Sequence, residues 1–513
     1  MRALALSETE PRLLRWLSLI PLLALGALVL ILSVRPLATA DTWYYLRMGD
    51  LYVHDGPWAQ SEPMLFTQGD VRPTPHEWLS EVAFYLVQDT FGFQGLRVFH
   101  GLLVVLALGL AFRLAKRAAG SVSVATGVTA LFAVLSLQRL YQTRADLFSI
   151  VCALGVYGFV LERPDALRRP ALVAALAVMA LWTNFHSLFL IGFALAGAAG
   201  LGFILAMAHA KESGGDATTA RGGLKNLLYF AGFGLLATAL NPRGLMQHLT
   251  FFTSSGEHAI WDVTDDWHAF SPLAYGPPDN SAMLSPLAWA SGDLVILLFG
   301  IAAVVATRRA QRSPPAEAAA ELDLPHLLVG IASIAAYLIS FRFLWLGIFP
   351  LLYAARVFSR AAPRASHLMG PVLATALAVA TPAYAHWSLL MFDVPKDVGT
   401  YLRTDVNRAS FGEEGVRFLR DAGLEGRMFN NYTLGAYIGY HLAPTLRTFI
   451  DGRTEHYPAS VAKDYDVIES GAVREDGRAY FQILDDYKVD VFFGVGGPGY
   501  AYTAVPTLRH LEG

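Results

Sequence analysis

Long apolar runs restrict this 513-residue chain to one broad class of fold. Most runs hold about 15–23 residues with few or no charges, close to the length of an α-helix that crosses the ~30 Å hydrocarbon layer of a bilayer. Charged residues make up 16% of the chain, against about 25% in soluble domains. We therefore predict a polytopic α-helical membrane protein of about 11 transmembrane helices. The runs lie near 13–34, 95–115, 120–137, 147–162, 171–185, 187–208, 226–241, 292–307, 326–341, 343–357 and 367–389.

The loops between these runs differ in charge, and the difference predicts orientation. Arg and Lys cluster in alternate loops, as in Arg113–Arg117 and Arg308–Arg312, which indicates that these loops face the cytoplasm. The N-terminus is then cytoplasmic, and an odd number of spans places the C-terminal region on the outer side. Two long loops, 35–94 and 242–291, also fall on the outer side.

The first outer loop contains signals for two amphipathic helices. Asp41–His54 ends at an Asp-Gly-Pro turn, and Gly and Pro interrupt helices. A second helix is predicted from about Pro75 to Gln88, with proline at its start. We assign this loop to a transmembrane module over residues 1–389.

The composition after about residue 390 is that of a soluble domain. Short predicted strands alternate with predicted helices, a pattern typical of α/β structure. We therefore predict a small extracytoplasmic α/β domain over residues 390–513. Its predicted strands are Arg427–Asn430, Thr448–Ile450 and Val489–Gly494, and its predicted helices are 411–422, 433–442, 459–470 and 474–487.

Charge and cysteine content exclude several functions. The net charge of −3 argues against a nucleic-acid partner. The single cysteine, Cys152, lies in an apolar run and rules out both an intramolecular disulfide and a cysteine-cluster metal site.

Polar residues gather at the predicted outer ends of the spans. Charged groups at membrane depth are costly and therefore indicate functional sites. Several of these turns are so short that their side chains cannot reach far into solvent, and we expect them to converge on a cavity at the outer face. The candidates are Asp41, His76, Glu77, Arg144, Asp146, Asn184, His186, Arg243, Asp266, Trp267 and Arg342.

Each candidate also has a purely structural interpretation. Asp41 can cap the helix that follows it, and Glu77 with its neighbours can form a solvated helix stripe. The pair within Arg144–Asp146 can be a structural ion pair, and Asn184–His186 can hydrogen-bond neighbouring helices. Arg243 stands in an Asn-Pro-Arg-Gly turn and can bind lipid headgroups.

Carboxylates and arginines on one membrane side favour a particular chemistry. A carboxylate such as Asp41 can act as general base towards a hydroxyl or amine. Arginines such as Arg144, Arg243 and Arg342 can bind a phosphate and stabilise its charge as it leaves. A lipid-linked phosphosugar fits both roles and the membrane location.

The order of these features resembles the GT-C superfamily of integral-membrane glycosyltransferases, which includes protein O-mannosyltransferases, aminoarabinose transferases and lipopolysaccharide galacturonosyltransferases. The resemblance rests on Asp41, which follows the first span directly, and on the long loop with two amphipathic helices. It implies a catalytic Asp41, assisted by Glu77 and His76. It also implies a polyprenyl-phosphate-linked sugar donor and a bacterial inner-membrane location. Asp41, His76 and Glu77 are also the candidate ligands for a divalent metal, Mg or Mn.

The chain is similar in more detail to a branch of uncharacterised bacterial membrane proteins. The shared motifs are His76–Glu81, Asn184–His186, Asn241–Gly244, Phe429–Tyr432 and Asp451–Arg453.

The last two of these motifs lie at predicted strand ends, where α/β sheets bind ligands. We therefore assign Asn430, Asn431, Asp451 and Arg453 to recognition of a lipid, glycan or protein acceptor. The structural alternative is that Asn430 caps a helix and Asp451-Gly452 forms a turn.

Two other functions stay open at this point. One is a transporter or flippase, although polar residues on only one side argue against alternating access around a midplane site. The other is a non-catalytic assembly protein that retains the fold.

Overall fold

The computed structural model describes residues 10–68, 72–254, 268–274, 286–390, 397–453 and 456–494. Contacts divide the chain into two compact units, and we treat the described residues of each. The first unit comprises Met1–Arg35, Val98–Leu245 and Asp265–Val394, and the second comprises Pro36–Arg97, Met246–Thr264 and Pro395–Gly513. The predicted division near residue 390 stays a prediction.

The first unit is built from apolar helices, and each predicted run overlaps one. Among the described residues, seven helices are long and apolar enough to cross a membrane, and three more are shorter apolar helices. The predicted class, a polytopic helical membrane protein, is confirmed; its orientation stays a prediction. The helices that lie wholly or partly in this unit are Arg12–Ser33, Trp78–Ala119, Val122–Leu135, Leu137–Leu140, Asp146–Val156, Arg169–Phe185, Leu190–Ser213, Thr218–Thr238, Pro286–Arg312, Pro315–Leu322, Leu324–Ile339, Ile348–Ala361 and Pro363–Leu390, with a π-helical turn at Tyr157–Leu161 and 3₁₀ turns at Pro164–Ala166, Ser187–Phe189, Gly244–Met246 and Phe341–Gly347. Trp78–Ala119 begins in the second unit.

Small residues allow close helix packing in this unit. Helix Val122–Leu135 packs against Pro363–Leu390. A Cβ atom added at Gly127 would lie 2.7 Å from the Cα atom of Gly370, so only glycine permits this approach. Such contacts are typical of helix association in membranes, where close van der Waals packing replaces the hydrophobic effect.

The second unit contains a small parallel sheet, and the predicted C-terminal α/β structure is confirmed. The strands are β1 (Gly426–Asn430), β2 (Leu446–Thr448) and β3 (Val491–Phe493), in the order β2-β1-β3. Met428 of β1 pairs with both Thr448 and Val491. The helices are Asp41–Asp55, Gln247–Ser254, Val398–Arg403, Glu413–Asp421, Gly435–Leu442, Ala459–Ser470 and Tyr480–Asp486, with 3₁₀ turns at Arg408–Phe411 and Tyr432–Leu434.

One C-terminal helix is shorter than predicted. The range 474–487 was expected to be helical throughout, but the helix begins at Tyr480. The preceding residues form a turn in which the Arg474 amide donates to the Arg478 carbonyl over 2.8 Å. The carboxylate of Asp476 holds this turn by accepting from the guanidinium groups of both arginines.

Part of the first outer loop extends the C-terminal sheet. Leu65 forms a parallel bridge to Thr448. The Phe66 amide donates to the Thr448 carbonyl over 3.1 Å, and the Thr448 amide donates to the Met64 carbonyl over 2.8 Å. Leu65 also belongs to the same buried core as Phe429 and Tyr465. The loop and the C-terminal segment therefore share one hydrophobic core.

Both predicted loop helices are present. The first is Asp41–Asp55, which ends at Gly56 with φ 77°. The second forms the start of Trp78–Ala119, which is broken at Gly92 with φ 66° and ψ −174°. Glycine adopts this conformation without steric cost. The element is therefore kinked at Gly92, where one helix ends and the next begins.

Candidate functional site

A cluster of charged side chains surrounds Asp146 in the first unit. Asp146 is the first residue of its helix and is 2% exposed. The Arg342 Nη2 atom lies 3.2 Å from each carboxylate oxygen of Asp146, and the Arg144 Nε atom lies 3.9 Å from Oδ2. Arg139 and His186 also interact with the charge of Asp146. We call these five residues the Asp146 cluster; three of its members are arginines that act on the charge of one carboxylate.

Hydrogen bonds between helices hold His186 in this cluster. The Ser149 hydroxyl lies 2.7 Å from the His186 Nδ1 atom. The same hydroxyl accepts a bond of 2.8 Å from the Trp182 indole nitrogen. The structure thus brings together four predicted site residues, Arg144, Asp146, His186 and Arg342.

Asn184 and Arg243 are placed by their own local bonds. The side-chain amide of Asn184 donates to the Ala180 carbonyl over 2.7 Å and to the Leu240 carbonyl over 2.8 Å. It therefore connects the ends of two helices, which is the structural alternative given for this residue. The Asn241 side chain accepts from the Arg243 amide over 2.8 Å. Arg243 is half-buried, and burial lowers the pKa of its guanidinium.

A second charged cluster surrounds Arg453 in the second unit. Arg453 is 1% exposed; its Nε atom lies 3.1 Å from both Asp451 carboxylate oxygens, and its Nη1 atom lies 3.2 Å from the Glu62 Oε1 atom. Burial alone would lower the pKa of Arg453, but the two carboxylates raise it above its ordinary value. His456 lies beside the guanidinium, 3.5 Å from Nη1. We call Glu62, Asp451, Arg453 and His456 the Arg453 cluster.

The predicted catalytic residues lie in the same unit as the Arg453 cluster. A Cβ atom placed on Gly452 would lie 3.0 Å from the Asp41 Oδ1 atom. The His76 Nε2 atom lies 3.4 Å from the Glu77 Oε1 atom. Burial lowers the pKa of His456 well below its ordinary value, and Arg453 and His76 add to this shift while Glu77 opposes it.

Two structural alternatives for these residues are wrong. The residue at the N-cap of helix Asp41–Asp55 is Ala40, so Asp41 is the first helical residue rather than the cap. Its charge there is favourable to the helix dipole. Glu77 and Glu81 are 8% and 5% exposed, which excludes a solvated stripe.

Asn430 and Asn431 hydrogen-bond to the protein itself. Asn430 is fully buried; it donates to the Ile450 carbonyl over 2.9 Å and accepts from the Phe449 amide over 2.8 Å. Asn431, rather than Asn430, caps the following 3₁₀ turn by accepting from the Thr433 amide over 3.0 Å. Their predicted role in acceptor binding stays a prediction.

The remaining predicted residues are Asp266 and Trp267, which lie outside the described residues. Within the part of the chain that the structure describes, no group of three or more His, Cys, Asp or Glu side chains is arranged to hold a metal ion. The metal role of Asp41, His76 and Glu77 stays a prediction.

The sequence prediction missed Arg139, Glu62 and His456. Arg139 stands between two apolar runs, and a charge in that position is itself a signal of function. Glu62 lies in an ordinary Ser-Glu-Pro sequence and carries no local pattern. Its importance appears only through Arg453, 391 positions away.

The apolar helices and the two buried charged clusters define a polytopic helical membrane protein with a small parallel sheet. No family model and no curated protein matches the chain. Two similar solved structures are crystal structures of ArnT from Cupriavidus metallidurans. One is bound to undecaprenyl phosphate, with 16% identity and a TM-score of 0.47; the other is in the apo state, with 15% identity and a TM-score of 0.48. Each alignment covers 87% of this chain and 88% of the ArnT chain.

Proposed function

We propose that the protein transfers a sugar from a polyprenyl-phosphate-linked donor to a lipid, glycan or protein acceptor at the outer face of a bacterial inner membrane. The arginines of the Asp146 cluster carry this proposal. Among the described residues, Arg139, Arg144 and Arg342 each act on the charge of Asp146. Arginine suits phosphate because its fork of donors matches the phosphate oxygens.

In this proposal Arg144 and Arg342 bind the donor phosphate, and Asp146 orients Arg342 through its two 3.2 Å contacts. As the sugar leaves, negative charge develops on the polyprenyl phosphate. Fixed guanidinium groups stabilise that charge without having to reorient. Arg243 remains a further proposed phosphate ligand, and His186 a proposed contact to the donor.

Asp41 is the proposed general base. The acceptor oxygen or nitrogen attacks the anomeric carbon, and its proton passes to the Asp41 carboxylate. The bond between the anomeric carbon and the phosphate oxygen breaks, and polyprenyl phosphate leaves with the bonding electrons. His76 and Glu77, whose Nε2 and Oε1 atoms lie 3.4 Å from each other, are proposed to assist this proton transfer.

Lipid binding tests the phosphate site. We expect Arg342→Ala to weaken binding of undecaprenyl phosphate to the full-length protein about 10-fold or more, because a charged hydrogen bond contributes about 1.5–3 kcal/mol. Titration in detergent followed by native mass spectrometry measures the affinity. The matched control is Arg309→Ala, which removes an arginine paired with Glu321 and should leave the affinity unchanged. Equal affinities for both folded variants would remove the basis of the proposal.

Cell-envelope analysis tests the enzyme itself. A deletion strain complemented with Asp41→Asn should show the same change in surface glycan or lipid A as the deletion. Asp55→Asn, at the exposed end of the same helix, should restore the wild-type profile. Profiles that stay unchanged in both the deletion strain and the Asp41→Asn strain would rule out this transfer reaction.

A further inference from the structure

We propose that the turn Asp451–Arg453 positions the carboxylate of Asp41, and that Gly452 is glycine because this carboxylate occupies the space of a side chain. Gly452 and Arg453 are thus positioning residues. Their importance for catalysis rests on the proposed function of Asp41, but the geometry can be tested without any transfer assay.

Arg453 is not free to recognise an acceptor. Its guanidinium is 1% exposed and is engaged by the carboxylates of Asp451 and Glu62. The donors of this guanidinium point at the two carboxylates. Arg453 therefore fixes the positions of Asp451 and Glu62 instead of contacting substrate.

The bonds of this network rigidify the backbone on both sides of Gly452. The Arg453 amide donates to the Asp451 Oδ1 atom over 2.9 Å, which closes the turn around Gly452. The Tyr457 hydroxyl donates to the Asp451 carbonyl over 3.1 Å. Asp451 is thereby held through both its side chain and its backbone.

Glu62 fixes the turn to the first outer loop. Its carboxylate accepts 2.8 Å bonds from the amides of Met64 and Leu65, in addition to the bond from Arg453. Leu65 also pairs with Thr448, the last residue of β2. The position of the loop segment relative to the turn is therefore fixed by both Glu62 and the sheet.

Gly452 lies so close to Asp41 that a side chain at this position would displace the carboxylate by a few tenths of an ångström. A Cβ atom at this position would lie 3.0 Å from the Asp41 Oδ1 atom and 3.5 Å from the Tyr44 Cε1 atom. Gly452 is not among the glycines with positive φ, so the backbone conformation alone does not demand glycine.

Tyr44 connects Asp41 to the same network a second time. The Arg453 guanidinium lies 5.6 Å from the centre of the Tyr44 ring. Tyr44 lies three positions after Asp41 in the helix and therefore on the same face. Both the end of the Asp41 side chain and the helix that carries it are thus held against the Asp451–Arg453 turn.

The test is carbodiimide labelling of Asp41 in the full-length protein in detergent, measured by peptide mass spectrometry from pH 4 to 8. We expect Gly452→Ala to change the Asp41 labelling rate at least about threefold and to move the pH of half-maximal labelling, because the environment of a carboxylate sets its protonation.

Gly399→Ala is the matched control. A Cβ atom there would lie 3.1 Å from the Asp397 Oδ1 atom, which is the same kind of contact at an exposed helix cap. This variant should leave the labelling of Asp41 unchanged. Thermal unfolding confirms that each variant is folded.

Asp41 labelling that is the same in folded Gly452→Ala and in the wild type would overturn the positioning role. If Gly452→Ala does not fold, Asp451→Asn replaces it, because the amide keeps the shape of the turn but loses the charge that holds Arg453. Altered Asp41 labelling in this variant supports the proposal, and unaltered labelling overturns it. If glycan profiles do not respond to Asp41→Asn while Gly452→Ala alters labelling, the proposed function fails and the positioning role stands.

Discussion

The Asp146 cluster and the Arg453 cluster both consist of arginine–carboxylate pairs, but they differ in composition and exposure. Among the described residues, three arginines act on the charge of Asp146 in the first, whereas two carboxylates bind one guanidinium in the second. Arg453 is buried, whereas the side chains of Arg144 and Arg342 are partly exposed. A buried ion pair alone says little about function because desolvation offsets its attraction, so the difference in exposure is more informative.

We therefore propose a separate task for each cluster. Arginines that are partly exposed suit an anionic ligand such as a phosphate, whereas an arginine enclosed by two carboxylates suits a structural role. In this proposal Arg342 and Arg453, which were both predicted to bind substrate, have different roles.

Arg453→Ala should have the largest effect on stability. Removing the guanidinium leaves Glu62 and Asp451 buried without a positive partner, and such losses cost about 3–5 kcal/mol. Thermal unfolding of the full-length protein, with hydrogen exchange of the β1 amides, measures the loss. Arg478→Ala removes exposed ion pairs to Asp476 and Asp486 and should cost only about 0–1 kcal/mol. Equal losses in both variants would mean that the Arg453 cluster is not structural.

Asp146→Asn should change ligand affinity and increase it. The substitution removes the negative charge that competes with phosphate for Arg342, while the amide oxygen can still accept a hydrogen bond from Arg342 and keep it oriented. We expect undecaprenyl phosphate to bind roughly fivefold more tightly, or about 1 kcal/mol, the scale of one screened charge interaction. Asp165→Asn, at an exposed loop position, should leave the affinity unchanged. Weaker binding by folded Asp146→Asn would contradict this expectation and show that the hydrogen bonds of the amide cannot replace the Asp146 carboxylate in orienting Arg342.

Acid should lower the stability of the second unit by less than Arg453→Ala does. Burial lowers the pKa of His441 to about 4, and nearby arginines contribute, while an unfolded chain takes up this proton near pH 6.5. The folded state is therefore fully stable above pH 6.5 and loses stability as the pH falls towards 4. His456, whose pKa is also lowered, adds to the loss.

The Tm of the full-length protein between pH 7 and pH 4, followed with hydrogen exchange of Gly435–Leu442, tests this. His441→Phe keeps a ring but carries no proton, so its Tm should fall less on acidification. An identical pH dependence of Tm in this variant and the wild type would exclude His441 as a source of acid sensitivity.

Much of the fold follows from local sequence patterns. Every predicted apolar run overlaps a helix, and helix Asp41–Asp55 was predicted within one residue of its observed end. These elements depend on hydrophobicity and on Gly and Pro signals that act over a few residues. The strand prediction at Thr448–Ile450 was displaced from Leu446–Thr448, because pairing with β1 sets the strand's limits.

The candidate site was less predictable because its contacts are distant in sequence. Four members of the Asp146 cluster were identified from their position at span ends. Glu62 was not, since nothing near it in sequence shows that it faces Arg453. Arg453 itself was singled out for acceptor recognition, but its burial between two carboxylates favours the positioning role that we propose.

The pairing of Met64–Thr67 beside β2 has a consequence for biosynthesis. The Thr448 hydroxyl bonds to the Met64 carbonyl across 384 positions. At about 5–20 residues per second, the loop strand leaves the ribosome roughly 20–80 s before its partner is made. During that interval its hydrogen-bonding edge and the Glu62 carboxylate must be kept from wrong partners. This segment therefore stays without its β2 partner, and open to chaperones and proteases, until translation has passed β2.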